Sequence, residues 1–205
     1  MTKWTLSSLA VVVAIALASF SIAGDKAGKH GGSGMATIGA PAPQFSLQDQ
    51  SGKTHTLADY NGKLVVLEWF NEECPVVQGH YKQDTMNSLA GKYAAKDVVW
   101  LAINSTAGKT NATNKAAAEQ WKMDRPILND ATGEVGRMYG AKTTPHMYVI
   151  NKDGTLAYMG AIDNQAKGGE KVNYVDKALT ELLSGNSVSE PQTKSYGCGV
   201  KYASK

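Results

Sequence analysis

The run Leu64-Val65-Val66-Leu67-Glu68-Trp69-Phe70 constrains this chain more than any other stretch. It is almost unbroken in apolar side chains, so an extended strand here needs cover on both faces. That places it inside a sheet with packed layers above and below. Cys74 and Pro75 follow the run closely. Pro75 suits the first turn of a helix, where a missing N–H is no loss. The strand therefore delivers a cysteine to a helix start, where unpaired N–H groups and a partial positive charge favour an anion. Because the thiolate is the reactive form, Cys74 is a candidate nucleophile. Glu72 and Glu73 oppose its ionisation unless solvent screens them. A moderately lowered pKa is expected.

The remaining pattern supplies the layers. Residues 45–47 and 55–57 flank Asp49-Gln50-Ser51-Gly52 as a small hairpin. One helix is expected from Pro75 to about Tyr93, and a second buried strand over Val98–Asn104. Residues 114–123 are alanine-rich and helical in propensity, and 130–139 form a short helix closed by Gly140. Strands over 147–150 and 155–159 meet at the turn Asn151-Lys152-Asp153-Gly154. Thr144-Pro145 marks the start of that hairpin, since proline is excluded from mid-sheet positions. An amphipathic helix over Tyr174–Leu183 ends before Gly185. Early strand–helix alternation implies parallel pairing, and the late hairpin adds antiparallel strands. The expected class is α/β, a three-layer α/β/α sandwich around a mixed central sheet.

Residues 1–23 read as a signal peptide: Lys3, an uncharged apolar stretch over 9–20, then small residues at Ser21 and Ala23. The stretch falls short of the roughly 20 residues that a membrane span needs. Left uncleaved, it would be the chain's tie to a membrane. Residues 24–37 are rich in Gly, Lys and His and read as a flexible lead-in. Residues 38–186 form one domain, and 187–205 a polar tail carrying Cys198. A formal net charge of +3 predicts no nucleic-acid partner. The expected location is secreted or periplasmic. Two cysteines in an exported chain allow one disulfide or one cycling redox pair.

Glu68 is an acid within an apolar strand, and a buried carboxylate is costly unless neutral or paired. It either has a raised pKa useful for proton transfer with a nearby thiol, or pairs with a lysine at the sheet edge. Of the histidines, His146 follows Pro145 and could approach Cys74. His30 sits in the lead-in, His55 in the first hairpin, and His80 off the Cys74 face of its helix.

The segment Leu67-Glu68-Trp69-Phe70 with Cys74-Pro75, then Thr144-Pro145 before a strand hairpin, resembles the thioredoxin fold. It is similar in particular to the redoxin, or peroxiredoxin-like, branch of the alkyl hydroperoxide reductase/thiol-specific antioxidant superfamily. Gly197-Cys198-Gly199-Val200-Lys201-Tyr202 matches the Gly-Cys-x-x-Lys-aromatic tail of exported members. The resemblance spans about residues 38–202. It implies that Cys74 is the attacking cysteine and that Pro145 is a cis-proline lying against it. Thr144, Pro75 and the aromatic Trp69 would line the approach of an extended substrate, and Glu68 would be the buried acid. The chain departs from the family at Val77, where a Cys-x-x-Cys motif has its second cysteine. It also departs at Asn71 and Leu67, where the peroxiredoxin pattern has Thr or Ser and Pro.

Cys198 is then the internal thiol left to resolve a mixed disulfide on Cys74, by swinging in on a mobile tail. A permanent Cys74–Cys198 staple is the other reading, and reducibility separates the two. The resemblance implies an exported thiol–disulfide oxidoreductase without cofactor or metal. It would act on protein disulfides and thiols or small peroxides, and be recharged by an external thiol reductant. The alternatives are a thiol peroxidase with an atypical pocket, a copper carrier using Cys74 or His146, and a non-enzymatic stapled module. The Cys-x-x-x-Cys pattern of copper carriers on this fold is missing from the sequence.

Overall fold

The computed structural model describes Met1, residues 34–165 and residues 170–204. The stretch expected to be a signal peptide and the expected lead-in through residue 33 lie outside the described residues, apart from Met1. Among the described residues no helix is long and apolar enough to cross a membrane. Ala36 N–H donates to Met138 O at 2.9 Å.

The apolar run becomes β3 (Leu64–Trp69), buried at every position. Its alternation divides the core. Leu64 and Val66 face one apolar cluster, whereas Val65, Leu67 and Trp69 face the other. Each Leu or Val buried this way contributes about 1.5–3 kcal/mol. The first cluster is closed by α1 (Pro75–Lys82), α2 (Thr85–Ala94), α3 (Asn111–Gln120) and α5 (Tyr174–Leu183). The second is closed by α4 (Glu134–Tyr139) and by residues of the 42–57 segment.

Among the described residues, seven strands form the central sheet. They are β1 (Ser46–Gln48), β2 (Thr54–Thr56), β3, β4 (Val98–Asn104), β5 (Ile127–Asn129), β7 (His146–Ile150) and β8 (Leu156–Gly160). Their order is β2-β1-β5-β4-β3-β7-β8. β4 runs parallel to both β3 and β5, whereas β7 is antiparallel to β3 and β8 to β7. The sheet is mixed and the fold is thioredoxin-like. β6 (Thr143–Thr144) and β9 (Cys198–Gly199) form a separate antiparallel pair.

Several elements differ from the sequence pattern. The helix expected to run from Pro75 to about Tyr93 is two helices. Asp84 adopts φ 58°, a left-handed conformation that breaks the first and starts the second. Neither glycine nor proline marks that break. β5 has only three residues, too few for a periodicity to show. α3 begins at Asn111 because Thr110 Oγ1 accepts from Thr113 N–H at 3.2 Å. α5 has the expected bounds, with Asn173 Oδ1 accepting from Asp176 N–H at 2.8 Å. The tail, expected to be mobile, pairs as β9 and is pinned to the body.

Candidate active site

Cys74 is the N-cap residue of α1 and is 1 % exposed. Its N–H donates to Asn71 O at 3.0 Å, and its carbonyl accepts from Gln78 N–H at 2.9 Å. Asn71 Oδ1 accepts from Glu73 N–H at 2.9 Å, which shapes the strand-to-helix turn. The antiparallel register pairs Trp69 with His146. The end of β3 and the start of β7 therefore lie side by side, and the residues flanking them meet. Thr144–Pro145 is a cis peptide, and Thr144 O stands 3.0 Å from Cys74 Sγ.

Cys198 comes to the same place from the far end of the chain. Its Sγ lies 2.8 Å from Cys74 Sγ, across 124 positions of sequence, and both residues are free thiols. Burial pushes the Cys74 thiol up. Hydrogen bonding from Cys198 and the nearby Val77 N–H outweigh it, so Cys74 ionises below the ordinary thiol range. Cys198 is raised, chiefly because it faces Cys74 and further by burial. A protonated Cys74 donates to Thr144 O or to Cys198 Sγ. Once Cys74 ionises, Cys198 becomes the donor. Val77, at the position that lacks a second motif cysteine, lowers the thiol through its backbone N–H at the helix start, without a closed cap hydrogen bond to the sulfur.

The two carboxylates beside Cys74 do not both point to solvent. Lys109 Nζ reaches Glu72 at 2.7 Å and Glu73 at 2.6 Å. A lysine hydrogen bond holds Glu73 below the usual carboxylate range. Lys109 was not among the expected site residues. It lies 36 positions from Glu73, and nothing local marks it.

Other expected residues fall elsewhere. Glu68 is fully buried and accepts from Tyr81 Oη at 2.8 Å, Trp100 Nε1 at 2.9 Å and Arg125 Nη2 at 3.4 Å. Its counter-charge is an interior arginine, not a lysine at the sheet edge. Trp69 is also fully buried; it packs against Tyr139 and Tyr148 and donates to Ser105 Oγ at 3.0 Å. It has no surface to offer a substrate. Pro75 is exposed at the first position of α1, and Thr144 is buried against Cys74. His146 Nδ1 is engaged by the Lys142 N–H at 3.3 Å and by Tyr148 Oη at 3.1 Å. Burial holds it neutral, with a pKa lowered to about 4. His80, expected off the relevant face, meets the tail: its Nε2 is 3.0 Å from Tyr196 Oη. Among the described residues no group of three or more His, Cys, Asp or Glu is placed to hold a metal ion.

A thioredoxin-like sheet that sets a cysteine at a helix start against a cis-proline defines a thioredoxin-fold oxidoreductase, and this protein is an enzyme of that class. The chain belongs to the AhpC/TSA family, whose profile matches residues 38–159. It is 32% identical over 145 residues to thiol-disulfide oxidoreductase ResA of Bacillus thuringiensis subsp. konkukian, covering 71% of this chain and 78% of the relative. An uncharacterized conserved protein from Geobacillus kaustophilus superposes with a TM-score of 0.75 at 30% identity, over 83% of this chain and 95% of that one. A hypothetical protein from Sinorhizobium meliloti superposes with a TM-score of 0.74 at 27% identity, over 82% and 96% respectively.

Proposed function

We propose that the protein is an exported thiol–disulfide oxidoreductase in which Cys74 attacks and Cys198 resolves. The observation that carries this reading is the 2.8 Å separation of the two sulfurs. The similarity to ResA supports the type of exchange, and the N-terminal pattern over residues 1–23 supports export. The Cys74 thiolate attacks one sulfur of a substrate disulfide. A mixed disulfide forms on Cys74, and the other substrate sulfur leaves as a thiolate. The anion that raised Cys198 is then gone, so Cys198 loses its proton more readily. Its thiolate attacks Cys74 Sγ, the Cys74–Cys198 disulfide forms, and the second substrate sulfur leaves. Two electrons pass from the pair to the substrate, and an external thiol reductant returns them. Thr144 and Pro145 border the attacking sulfur.

Trapping with single variants tests the assignment. Cys198→Ser should accumulate a mixed disulfide on Cys74, and the wild-type chain should cycle to the internal disulfide. Equal turnover by Cys198→Ser and wild type would remove the resolving role. Cys74 alkylation no faster at pH 7 than that of a free thiol, with a pKa near 8.5, would remove the nucleophile. Peroxide consumption outpacing disulfide exchange would replace exchange by peroxidase chemistry. A mature N-terminus near Gly24 in protein recovered outside the cytoplasm checks export.

A further inference from the structure

The tail reaches Cys74 by lying along the strand beside cis-Pro145. β9 pairs antiparallel with β6, setting Cys198 opposite Thr144 and Gly199 opposite Thr143. Val200 N–H donates to Lys142 O at 3.1 Å, and Lys201 O accepts from Ala107 N–H at 2.8 Å. Gly197 makes this approach possible, since a Cβ there would stand 2.1 Å from Thr144 O. The backbone edge next to the attacking sulfur is thus already occupied.

Aromatic anchors hold the tail on either side of Cys198. Upstream, Tyr196 Oη donates to Asp163 Oδ1 at 2.5 Å and meets His80 Nε2. Downstream, Tyr202 lies in a cradle on α4. A Cβ at Gly133 would stand 2.4 Å from the Tyr202 ring, and one at Gly136 2.6 Å from its hydroxyl. The Arg137 guanidinium lies 4.7 Å from the ring centroid, and the hydroxyl donates to Ala141 O at 2.8 Å. Arg137 Nη2 also donates to Ala203 O at 2.6 Å. A glycine pair shaped to one aromatic ring is a seat, and the ring in it fixes where the tail lies.

We propose that Tyr202 is a specificity-determining residue. Seated on Gly133 and Gly136, it keeps the tail on the Thr143–Thr144 edge and withholds that edge from extended polypeptide disulfides. Cys74 is 1 % exposed with the tail docked, so a small disulfide needs only the local displacement of Cys198 that uncovers the sulfur, whereas an extended peptide needs the whole Thr143–Thr144 edge freed. This rests on Cys74 being the attacking thiol, as proposed above. An extended peptide pairs at the edge only in the fraction of molecules with the tail undocked, and its apparent rate falls by that fraction.

The test uses full-length Cys198→Ser protein, so that reaction at Cys74 is read alone. In each reaction the Cys74 thiolate displaces one thiolate from the probe and keeps the other half as a mixed disulfide, counted by intact mass. The probes are glutathione disulfide and an extended peptide dimer joined by one disulfide. Adding Tyr202→Ala should raise the peptide rate at least about tenfold and the glutathione rate by less than about threefold. Tyr202→Phe keeps the ring and should leave the ratio within about twofold of the parent. Gly136→Ala, which fills the seat with Tyr202 retained and also presses on Ser105 Oγ at 2.7 Å, should shift the ratio in the same direction as Tyr202→Ala. A peptide-to-glutathione ratio that Tyr202→Ala leaves unchanged overturns the proposal, whatever Gly136→Ala does. Failure of Cys198 as resolving thiol would appear in the wild-type chain and leave these rates as they are.

Discussion

Glu68 and Cys74 are six residues apart in sequence and both almost wholly buried, yet their surroundings differ in kind. Glu68 is ringed by fixed donors, Tyr81, Trp100 and Arg125, one of them a permanent cation. Its charge has one stable arrangement. Cys74 faces a second thiol and backbone N–H groups, and the proton between the two sulfurs can move. Burial alone therefore does not distinguish a reactive group from a structural one. A permanent counter-charge makes the buried group part of the scaffold. A counter-proton that can leave makes it chemistry.

The comparison can be broken at either end. Cys74→Ser should lower disulfide exchange by at least about a thousandfold while the thermal unfolding midpoint holds. Exchange surviving above a tenth of wild type would move the chemistry elsewhere. Arg125→Met leaves Glu68 buried without its cation and should cost about 3–5 kcal/mol in denaturant unfolding. The Cys74 alkylation profile should stay put in that variant, and Glu68→Gln in the same chain should restore much of the loss. An undiminished stability would show that Glu68 does not depend on its arginine.

His146 sits next to the cis-proline but behaves as scaffold. Its folded pKa, about 4, lies below the unfolded value near 6.5. As pH falls below 6.5 the unfolded chain takes up the proton first. Stability should drop by about 3 kcal/mol between pH 6.5 and 4 and then level off in this respect. His146→Asn should flatten that limb in a pH series of denaturant melts, and an unchanged limb would refute the assignment. The smallest effect is at Lys109. Lys109→Met uncovers the charges of Glu72 and Glu73 and should move the Cys74 alkylation midpoint up by no more than about one pH unit. A downward move would mean that the carboxylates do not oppose the thiolate.

Much of this fold is readable because some stretches carry their own instructions. An apolar run, the turn Asn151-Lys152-Asp153-Gly154 and the amphipathic pattern of α5 each specify local structure without help. The break at Asp84 is not of this kind. Its left-handed backbone belongs to a residue type that also serves in ordinary helices, and packing on both sides selects it. The same holds for Ile127–Asn129, a strand only because β4 and β1 flank it. At the site, Cys74-Pro75 and Thr144-Pro145 are visible as motifs. Lys109, Arg125 and the Tyr202 seat are not, since each acts on a residue far away in the chain.

The sequence by itself determined a doubly buried strand, a cysteine at a helix start, a proline before a late hairpin and one distant second cysteine. Those are short-range properties, set by side-chain polarity and by the backbone limits of proline and glycine. The tertiary structure alone decided that Cys198 stands 2.8 Å from Cys74, with Tyr196 and Tyr202 holding the tail on either side. It also decided that Arg125 stands 3.4 Å from Glu68 as its ion-pair partner and that Lys109 covers Glu72 and Glu73. The reason is range. Charge pairing and ring-in-cradle packing act over a few ångströms of space, and only the folded chain sets which residues come that close.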